Sequence, residues 1–219
     1  VSIQVMDNTH TTMVQLNLLP TTFEKYECKR NTKIGVHLKS WVKMLKMINT
    51  KATDIKMMIK NDTELSLQFT QNDLEFNWVL KAMDIDEEAY TIPPFKGLTI
   101  TFQSKRWFDI VSNMPEDMDS FILSYKQNQL QITGNTVDQD IKIKMDVKEN
   151  KKETYSSTFN IPLLKKISCG HTLSSDVILG LKEDTPLHVT YNLTDGLIGN
   201  LNCFIAPVCK DDDYEEDEE

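Results

Sequence analysis

The sequence has few of the features that mark disulfide-linked, metal-binding or membrane proteins. It holds four cysteines, no two of them spaced as C-x-x-C, and its four histidines form no nearby ligand set. No run approaches the roughly 18 apolar residues that a membrane helix needs, and no charged-then-apolar leader stands at the front. We therefore expect an intracellular protein with reduced cysteines, no membrane partner and no bound metal.

Glycine is scarce, at seven residues, and the short motifs that position phosphates, catalytic metals or nucleophiles are missing. The sequence contains no G-x-G-x-x-G, G-x-x-x-x-G-K-[ST], H-E-x-x-H or G-x-S-x-G. Asp84 and Asp86 form an acidic pair, but no histidine or lysine pattern accompanies them. We predict that the protein is not an enzyme and needs no cofactor. A metal-dependent nuclease that uses Asp84 and Asp86 is the catalytic alternative.

Acidic residues outnumber basic ones and give a net charge of −9. Residues 211–219 hold eight of the acids and no base, so the rest of the chain is nearly neutral. A block of like charges does not bury a core, and we expect a disordered, solubilising tail at 211–219.

An acidic stretch divides the chain into two similar parts. Residues 83–94 carry four carboxylates and no base, lack a regular period, and close with Pro93 and Pro94. Because a proline pushes the preceding residue out of the α region, Ile92 should be extended. We predict an N-terminal domain at 1–82, a connector at 83–94 and a C-terminal domain at 95–210.

A helix followed by a hairpin recurs three times along the chain. Apolar residues at helical spacing follow Ser40 and Ser104, which we predict as N-caps, and Asn160 with Pro162 should begin the third helix. Each helix precedes two alternating runs joined by a polar turn, and alternating strands are also predicted at 1–6, 13–19 and 23–28. Only one copy precedes the connector, so we expect that residue 1 is not the natural start of the fold.

Several segments resemble the eukaryotic-type sliding clamps, the proliferating cell nuclear antigen family. They are QVMDNTH at 4–10, MVQL at 13–16, YECKRN at 26–31, GVHLKS at 35–40, MDID at 83–86 and IAP at 205–207. Their order and spacing agree along the whole chain, more loosely between 100 and 175.

The resemblance implies an α+β DNA-clamp fold with two similar domains per chain. Antiparallel sheets would form the outside and helices would line a ring of three chains around duplex DNA. Such a clamp has no chemistry of its own. It serves as a processivity factor for DNA polymerase, docks replication and repair proteins, and is opened by a clamp loader. The location would be the nucleus, or the replication compartment of a DNA virus.

A clamp that slides needs basic residues that face phosphates without reading bases. The candidate DNA-binding residues are basic residues of the three helices: Lys39, Lys43, Lys46, Lys105, Arg106, Lys165 and Lys166. Ser112, Pro162 and Cys169 stand where related clamps usually carry a basic residue, so the basic lining of the second domain should be thinner. This favours, as the alternative, a clamp-fold scaffold that binds partner peptides without encircling DNA.

The resemblance also implies an apolar pocket under the connector, where partners insert a Q-x-x-Φ-x-x-aromatic-aromatic motif. Position by position, the pocket would comprise Met6, His10, Met13, Tyr90, Ile92, Pro93, Pro186, Phe204, Ala206 and Pro207. Ring closure would pair edge strands of neighbouring chains, with alternating residues in 76–80 and 141–147 as candidates.

Overall fold

The structure, a computed structural model, describes residues 1–84, 90, 92, 94–147 and 153–208. Over these residues the α-helices are α1 (Leu38–Leu45), α2 (Ser104–Ser112) and α3 (Ile161–Ser168). The strands, in chain order, are β1 (Ser2–Met6), β2 (Thr12–Leu18), β3 (Thr53–Lys60), β4 (Glu64–Gln71), β5 (Leu74–Lys81), β6 (Leu98–Gln103), β7 (Ser120–Lys126), β8 (Gln129–Asn135), β9 (Asp140–Asp146), β10 (Tyr155–Asn160), β11 (Asp176–Leu181), β12 (Leu187–Leu193) and β13 (Gly199–Ile205). The predicted α+β class is confirmed.

The chain forms two compact units that do not coincide with the predicted halves at 1–82 and 95–210. The larger unit contains Val1–Tyr26 and Thr91–Glu219, and the smaller unit contains Glu27–Tyr90. The first two strands belong to the larger unit because β2 pairs with β13 along its whole length. A sequence repeat does not reveal which strands pair across it, so the boundaries drawn from the repeat stay a prediction.

The larger unit contains two antiparallel sheets and the packed helices α2 and α3. One sheet has the order β1-β2-β13-β12-β11-β6 and the other the order β10-β7-β8-β9. Strand β6 leads into α2 but pairs with β11, and β10 leads into α3 but pairs with β7. The strand before each helix therefore joins the sheet that contains the hairpin of the other repeat. The largest side chains buried between them are Trp107, Phe121, Tyr125, Phe159 and Tyr191.

The six-stranded sheet turns one face to this core, because successive side chains of a strand alternate. Val14, Cys203, Val189, Leu179 and Ile100 lie opposite one another on consecutive strands, and all but Val14 are buried. Burial raises the pKa of the Cys203 thiol to about 12, so this thiol stays protonated at neutral pH. The opposite face is half-buried and carries the candidate site described below.

The smaller unit packs α1 on the three-stranded sheet β3-β4-β5. Trp41 and Met44 of α1 form a buried cluster with Leu65, Leu67 and Phe69 of β4. The helical spacing predicted an apolar face that includes Trp41, Met44 and Leu45; the first two are buried, whereas Leu45 is 40% exposed.

Strand β3 leaves an apolar row open to solvent within the described part of the smaller unit. Met57 lies opposite Leu67 and Ile59 opposite Leu65, so the row shares the face that α1 covers elsewhere. Nevertheless Ile55, Met57 and Ile59 are 52%, 38% and 42% exposed. As an edge strand, β3 also presents main-chain groups without a neighbouring strand in this sheet.

Two predicted helix starts were wrong. Helix α1 begins directly after the extended residue His37, so Ser40 lies inside the first turn, with Oγ 3.1 Å from His37 Nδ1. Helix α2 has Gln103 at the N-cap, and Ser104 is its first helical residue. The Ser104 hydroxyl donates to the Ser174 carbonyl, so it links two segments and does not cap a helix.

The strand predicted at 23–28 is absent from the structure. The rings of Phe23 and Tyr26 pack with centroids 5.7 Å apart, which requires a bend between them. The sequence analysis did not predict strands β10 and β13. Most of the connector, at 85–89, 91 and 93, and the tail at 211–219 lie outside the described residues.

The predicted start of the third helix is confirmed. Asn160 is the N-cap of α3, and its Oδ1 accepts the N–H of Leu163 at 3.0 Å, with Pro162 in the first turn.

We expect Asn160→Ala to lower the free energy of unfolding by about 1 kcal/mol, because the Leu163 N–H loses its acceptor. Urea denaturation followed by circular dichroism measures this change. Asn160→Asp keeps an acceptor oxygen and should unfold close to the wild-type midpoint. If both variants lower the free energy of unfolding equally, the acceptor oxygen of Asn160 does not account for the loss.

Candidate functional sites

Asp7 organises the turn between β1 and β2. Its carboxylate accepts the main-chain N–H of Thr11 at 2.9 Å and of Thr12 at 2.8 Å, and the hydroxyls of Thr9 and Thr11. The Thr9 hydroxyl first, and the Thr12 amide next, lower the pKa of Asp7 to about 2. The carboxylate is therefore ionised throughout the neutral range, and it fixes the turn.

The Asp7 turn brings three predicted pocket residues together. His10 adopts a φ of 55°, and its Nδ1 lies 3.1 Å from the sulfur of Met6. The main-chain N–H of Ala206, just past β13, donates to the Thr11 carbonyl at 2.8 Å. The end of the last strand is thereby fastened to the turn that holds His10.

An apolar row crosses the outer face of the six-stranded sheet next to this turn. Met6 lies opposite Met13, Met13 opposite Phe204, and Phe204 opposite His188. All four side chains are half-buried. The rings of Phe204 and His188 stack with centroids 4.4 Å apart and an interplanar angle of 18°. The row therefore combines polarizable thioethers with flat rings, which suits an aromatic or aliphatic ligand side chain.

Phe95 extends the apolar row at its far end. Its ring meets His188 edge-on at 5.6 Å and lies against Gly180, which is opposite His188 on β11. A Cβ at Gly180 would come within 3.0 Å of the Phe95 ring, and one at Gly97 within 2.6 Å. The two glycines thus make the space in which Phe95 sits.

Uncharged polar groups hold His188 from its other side. Its Nε2 lies 3.2 Å from Asn202 Oδ1 and 3.0 Å from Thr190 Oγ1. Asn202 Nδ2 in turn donates to Asn200 Oδ1 at 2.9 Å. Burial lowers the pKa of His188, with the Asn202 contact opposing in part, so the ring is neutral at pH 7.

The remaining predicted pocket residues are less closely joined to the row. Pro186 is exposed just before β12, at the sheet end where Ala206 and Pro207 follow β13. Ile92 is half-buried in the larger unit, whereas Tyr90 belongs to the smaller unit and is 43% exposed. Pro93 lies outside the described residues. The pocket as a complete set stays a prediction.

The predicted basic residues of α1, together with Lys46 as the C-cap residue directly after it, share one face of that helix. Lys39, Lys43 and Lys46 are all exposed and are separated by four and three residues, which aligns them. Trp41 and Met44 occupy the buried face. No acidic residue lies within α1, so this positive face is not neutralised by its own helix.

Two predicted basic residues of the larger unit are engaged within the protein. Lys105 pairs with Asp109 one turn later and lies over the Phe108 ring at 5.3 Å. The Lys165 amine donates to the Met114 carbonyl at 2.7 Å and so ties α3 to the segment after α2. Arg106 and Lys166 are exposed.

Within the described ranges, no group of three or more His, Cys, Asp or Glu side chains is placed to hold a metal ion. No helix in the described part of the chain is long and apolar enough to cross a membrane.

Sequence reasoning missed His188 and Phe95 as members of the apolar row. His188 stands two residues after Pro186, in a strand whose alternate residues are buried, so its outward position could have been read from the period of two. The position of Phe95 depends on Gly180 from another strand, and no local pattern indicates it.

Comparisons with known proteins identify what the chain resembles. Residues 1–89 match the family model described as proliferating cell nuclear antigen, N-terminal domain. A probable DNA polymerase sliding clamp of Autographa californica nuclear polyhedrosis virus is 27% identical over 98% of this chain and 86% of the relative. Proliferating cell nuclear antigen 1 of Plasmodium falciparum is 24% identical over 96% of this chain and 85% of the relative.

We expect Asp7→Ala to release the turn that positions His10, because the Thr11 and Thr12 amides lose their shared acceptor. Hydrogen exchange followed by NMR should show faster exchange of these two amides, while the exposed neighbour substitution Asn8→Ala leaves them unchanged. The depressed pKa of Asp7 adds a pH dependence in the wild type. The stabilisation is present above the ordinary carboxyl pKa near 4 and is lost as the pH falls towards 2. Unchanged protection in Asp7→Ala would contradict the assignment.

Proposed function

From these matches we infer that the chain belongs to the proliferating cell nuclear antigen family of DNA sliding clamps and acts as a processivity factor for DNA polymerase. The observation that carries this is the similarity, over nearly the whole chain, to one relative named as a probable DNA polymerase sliding clamp and another named as proliferating cell nuclear antigen 1. The family model over residues 1–89 and the α+β fold of antiparallel sheets agree with it. DNA and DNA polymerase are the partners that follow from this family.

We propose that three copies close into a ring by pairing β5 of one copy with β9 of the next. Each strand is the edge of its sheet in the described residues. A cleft of about 430 Å³ beside β9, lined in part by Ile110, Met114, Ile141 and Ile143, offers apolar surface to a neighbouring copy. Uncovered edges of this kind favour pairing with another chain.

The basic face of α1 is proposed to contact DNA phosphates inside such a ring. Exposed lysines without an acidic neighbour in their helix attract the phosphate backbone irrespective of sequence. We further propose that an ATP-driven loader opens the ring. The ring would then bind proteins that carry the Q-x-x-Φ-x-x-aromatic-aromatic motif. It would work without catalysis of its own, in the nucleus or at a viral replication site.

A clamp-fold scaffold that binds peptides without encircling DNA is the second candidate. Lys105 pairs with Asp109, and Lys165 donates to the Met114 carbonyl. These two basic groups are therefore less able to contact DNA phosphates, which favours the scaffold.

Retention on DNA separates the two candidates. The protein loaded onto nicked circular duplex by a clamp loader should stay bound in high salt and be lost when the circle is cut, because only encirclement depends on topology. Gel filtration of the protein–DNA mixture before and after cutting measures this. Equal retention on circular and linear DNA would favour the scaffold.

We expect Lys43→Ala with Lys46→Ala to weaken binding to a short linear duplex and to flatten its salt dependence. Loss of two phosphate contacts should reduce the slope of log K against log salt by about 2. Fluorescence anisotropy over a salt series gives the slope. The matched control, Lys56→Ala with Lys60→Ala, removes the same charge from exposed positions of β3. The assignment fails if both pairs change the slope equally.

Ile92→Ala with Phe204→Ala should abolish binding of a peptide carrying the partner motif while leaving the oligomeric state unchanged. Phe204 is the centre of the apolar row, and its truncation also removes the stacking partner of His188. Isothermal titration calorimetry with the peptide and light scattering of the protein test both parts. Retained peptide affinity in this double variant would rule out the pocket.

A further inference from the structure

The apolar row does not end at the predicted pocket residues. His188 lies directly opposite Phe204 on the neighbouring strand, and Phe204 lies opposite Met13. A ligand that covers Met13 and Phe204 therefore has the imidazole of His188 as its next neighbour along the sheet, because directly opposite residues stand about 5 Å apart on the same face.

The ring of His188 is held in one orientation from three sides. It stacks on Phe204 at 4.4 Å, receives the edge of Phe95 at 5.6 Å, and places Nε2 beside Asn202 Oδ1 at 3.2 Å. Phe95 is itself confined above Gly180. A ring fixed in this way loses little conformational entropy when a ligand packs on it.

The surrounding amides also choose the tautomer of His188. Asn202 donates through Nδ2 to Asn200 Oδ1, and the Thr190 hydroxyl donates to Asn202 Oδ1. An amide oxygen can only accept, so a hydrogen bond between Asn202 Oδ1 and the imidazole requires the ring proton to be on Nε2. This leaves Nδ1 as an acceptor, and it makes no hydrogen bond within the described residues.

We propose that His188 is a specificity-determining residue of the partner-peptide pocket, packing against an aromatic side chain of the partner and accepting a hydrogen bond from it at Nδ1. The proposal rests on the function proposed above. It assigns the pocket a preference for tyrosine over phenylalanine at the motif position that reaches His188. A hydrocarbon side chain at 188 would offer packing surface without an acceptor.

The test compares two labelled motif peptides that differ only in carrying tyrosine or phenylalanine at the aromatic positions, titrated into the full chain by fluorescence anisotropy. The wild type should bind the tyrosine peptide about threefold to tenfold more tightly, the range of one hydrogen bond. His188→Phe keeps a ring and removes Nδ1, so the two peptides should bind it equally.

His188→Gln keeps a donor for Asn202 without the ring and should weaken both peptides by roughly threefold to tenfold. Asn192→Ala, on the same strand and outer face but outside the row, is the matched control and should leave both affinities unchanged. Thermal unfolding of each variant reports whether the fold is retained.

Two results would overturn the proposal for His188. Both can be distinguished from a pocket that does not bind the motif peptide at all. The first is unchanged affinity in His188→Gln while Ile92→Ala with Phe204→Ala still abolishes binding, which would leave the pocket in place without His188. The second is a tyrosine preference that persists in His188→Phe. If the wild type binds neither peptide, the proposed pocket is wrong and the role of His188 falls with it.

Discussion

The pairing of β2 with β13 is the interaction on which the rest of the larger unit depends. It joins main-chain segments that are far apart in sequence, and Asn17 adds a side-chain hydrogen bond to Asn200 at 3.0 Å across it. One pairing produces two different surfaces, because Val14 and Cys203 face the core while Met13 and Phe204, one residue away, face outward. A register shift of a single residue would exchange these surfaces and destroy both. Such non-local pairing also carries a large entropic cost during folding.

The candidate pocket is built on strands whose positions this pairing fixes. The Asp7 turn closes one end of the row, and the main-chain N–H of Ala206 binds the same turn from the last strand. At the other end Phe95 is held by its fit against Gly180. Between them the row contains no ionised side chain, since His188 is neutral. A rigid, uncharged apolar strip of this kind recognises shape and hydrogen-bonding groups, and it does not depend on electrostatic attraction.

Local patterns predicted the helices and most strands because burial in this protein follows the periods of 3.6 and 2. They failed where tertiary contacts override local preference. Ser104 resembles an N-cap in sequence, but its hydroxyl donates a hydrogen bond to the Ser174 carbonyl. The alternating residues at 23–28 form a bend in which Phe23 packs on Tyr26, and they do not form a strand. The outer row could be predicted only for residues that matched a known family. His188 acquires its role from Phe204 and Asn202 on the neighbouring strand, which no single segment reveals.

The hydrogen bond from Lys165 to the Met114 carbonyl has a consequence for how the protein responds to salt. The amine meets a main-chain carbonyl two residues after the end of α2, and Lys165 is half-buried. Dissolved ions screen exposed charges far more than sheltered ones. Rising ionic strength should therefore screen the exposed charges of Lys39, Lys43 and Lys46 well before it weakens the contact between α2 and α3. Lysine thus provides a salt-sensitive surface charge on α1 and a salt-resistant structural hydrogen bond on α3.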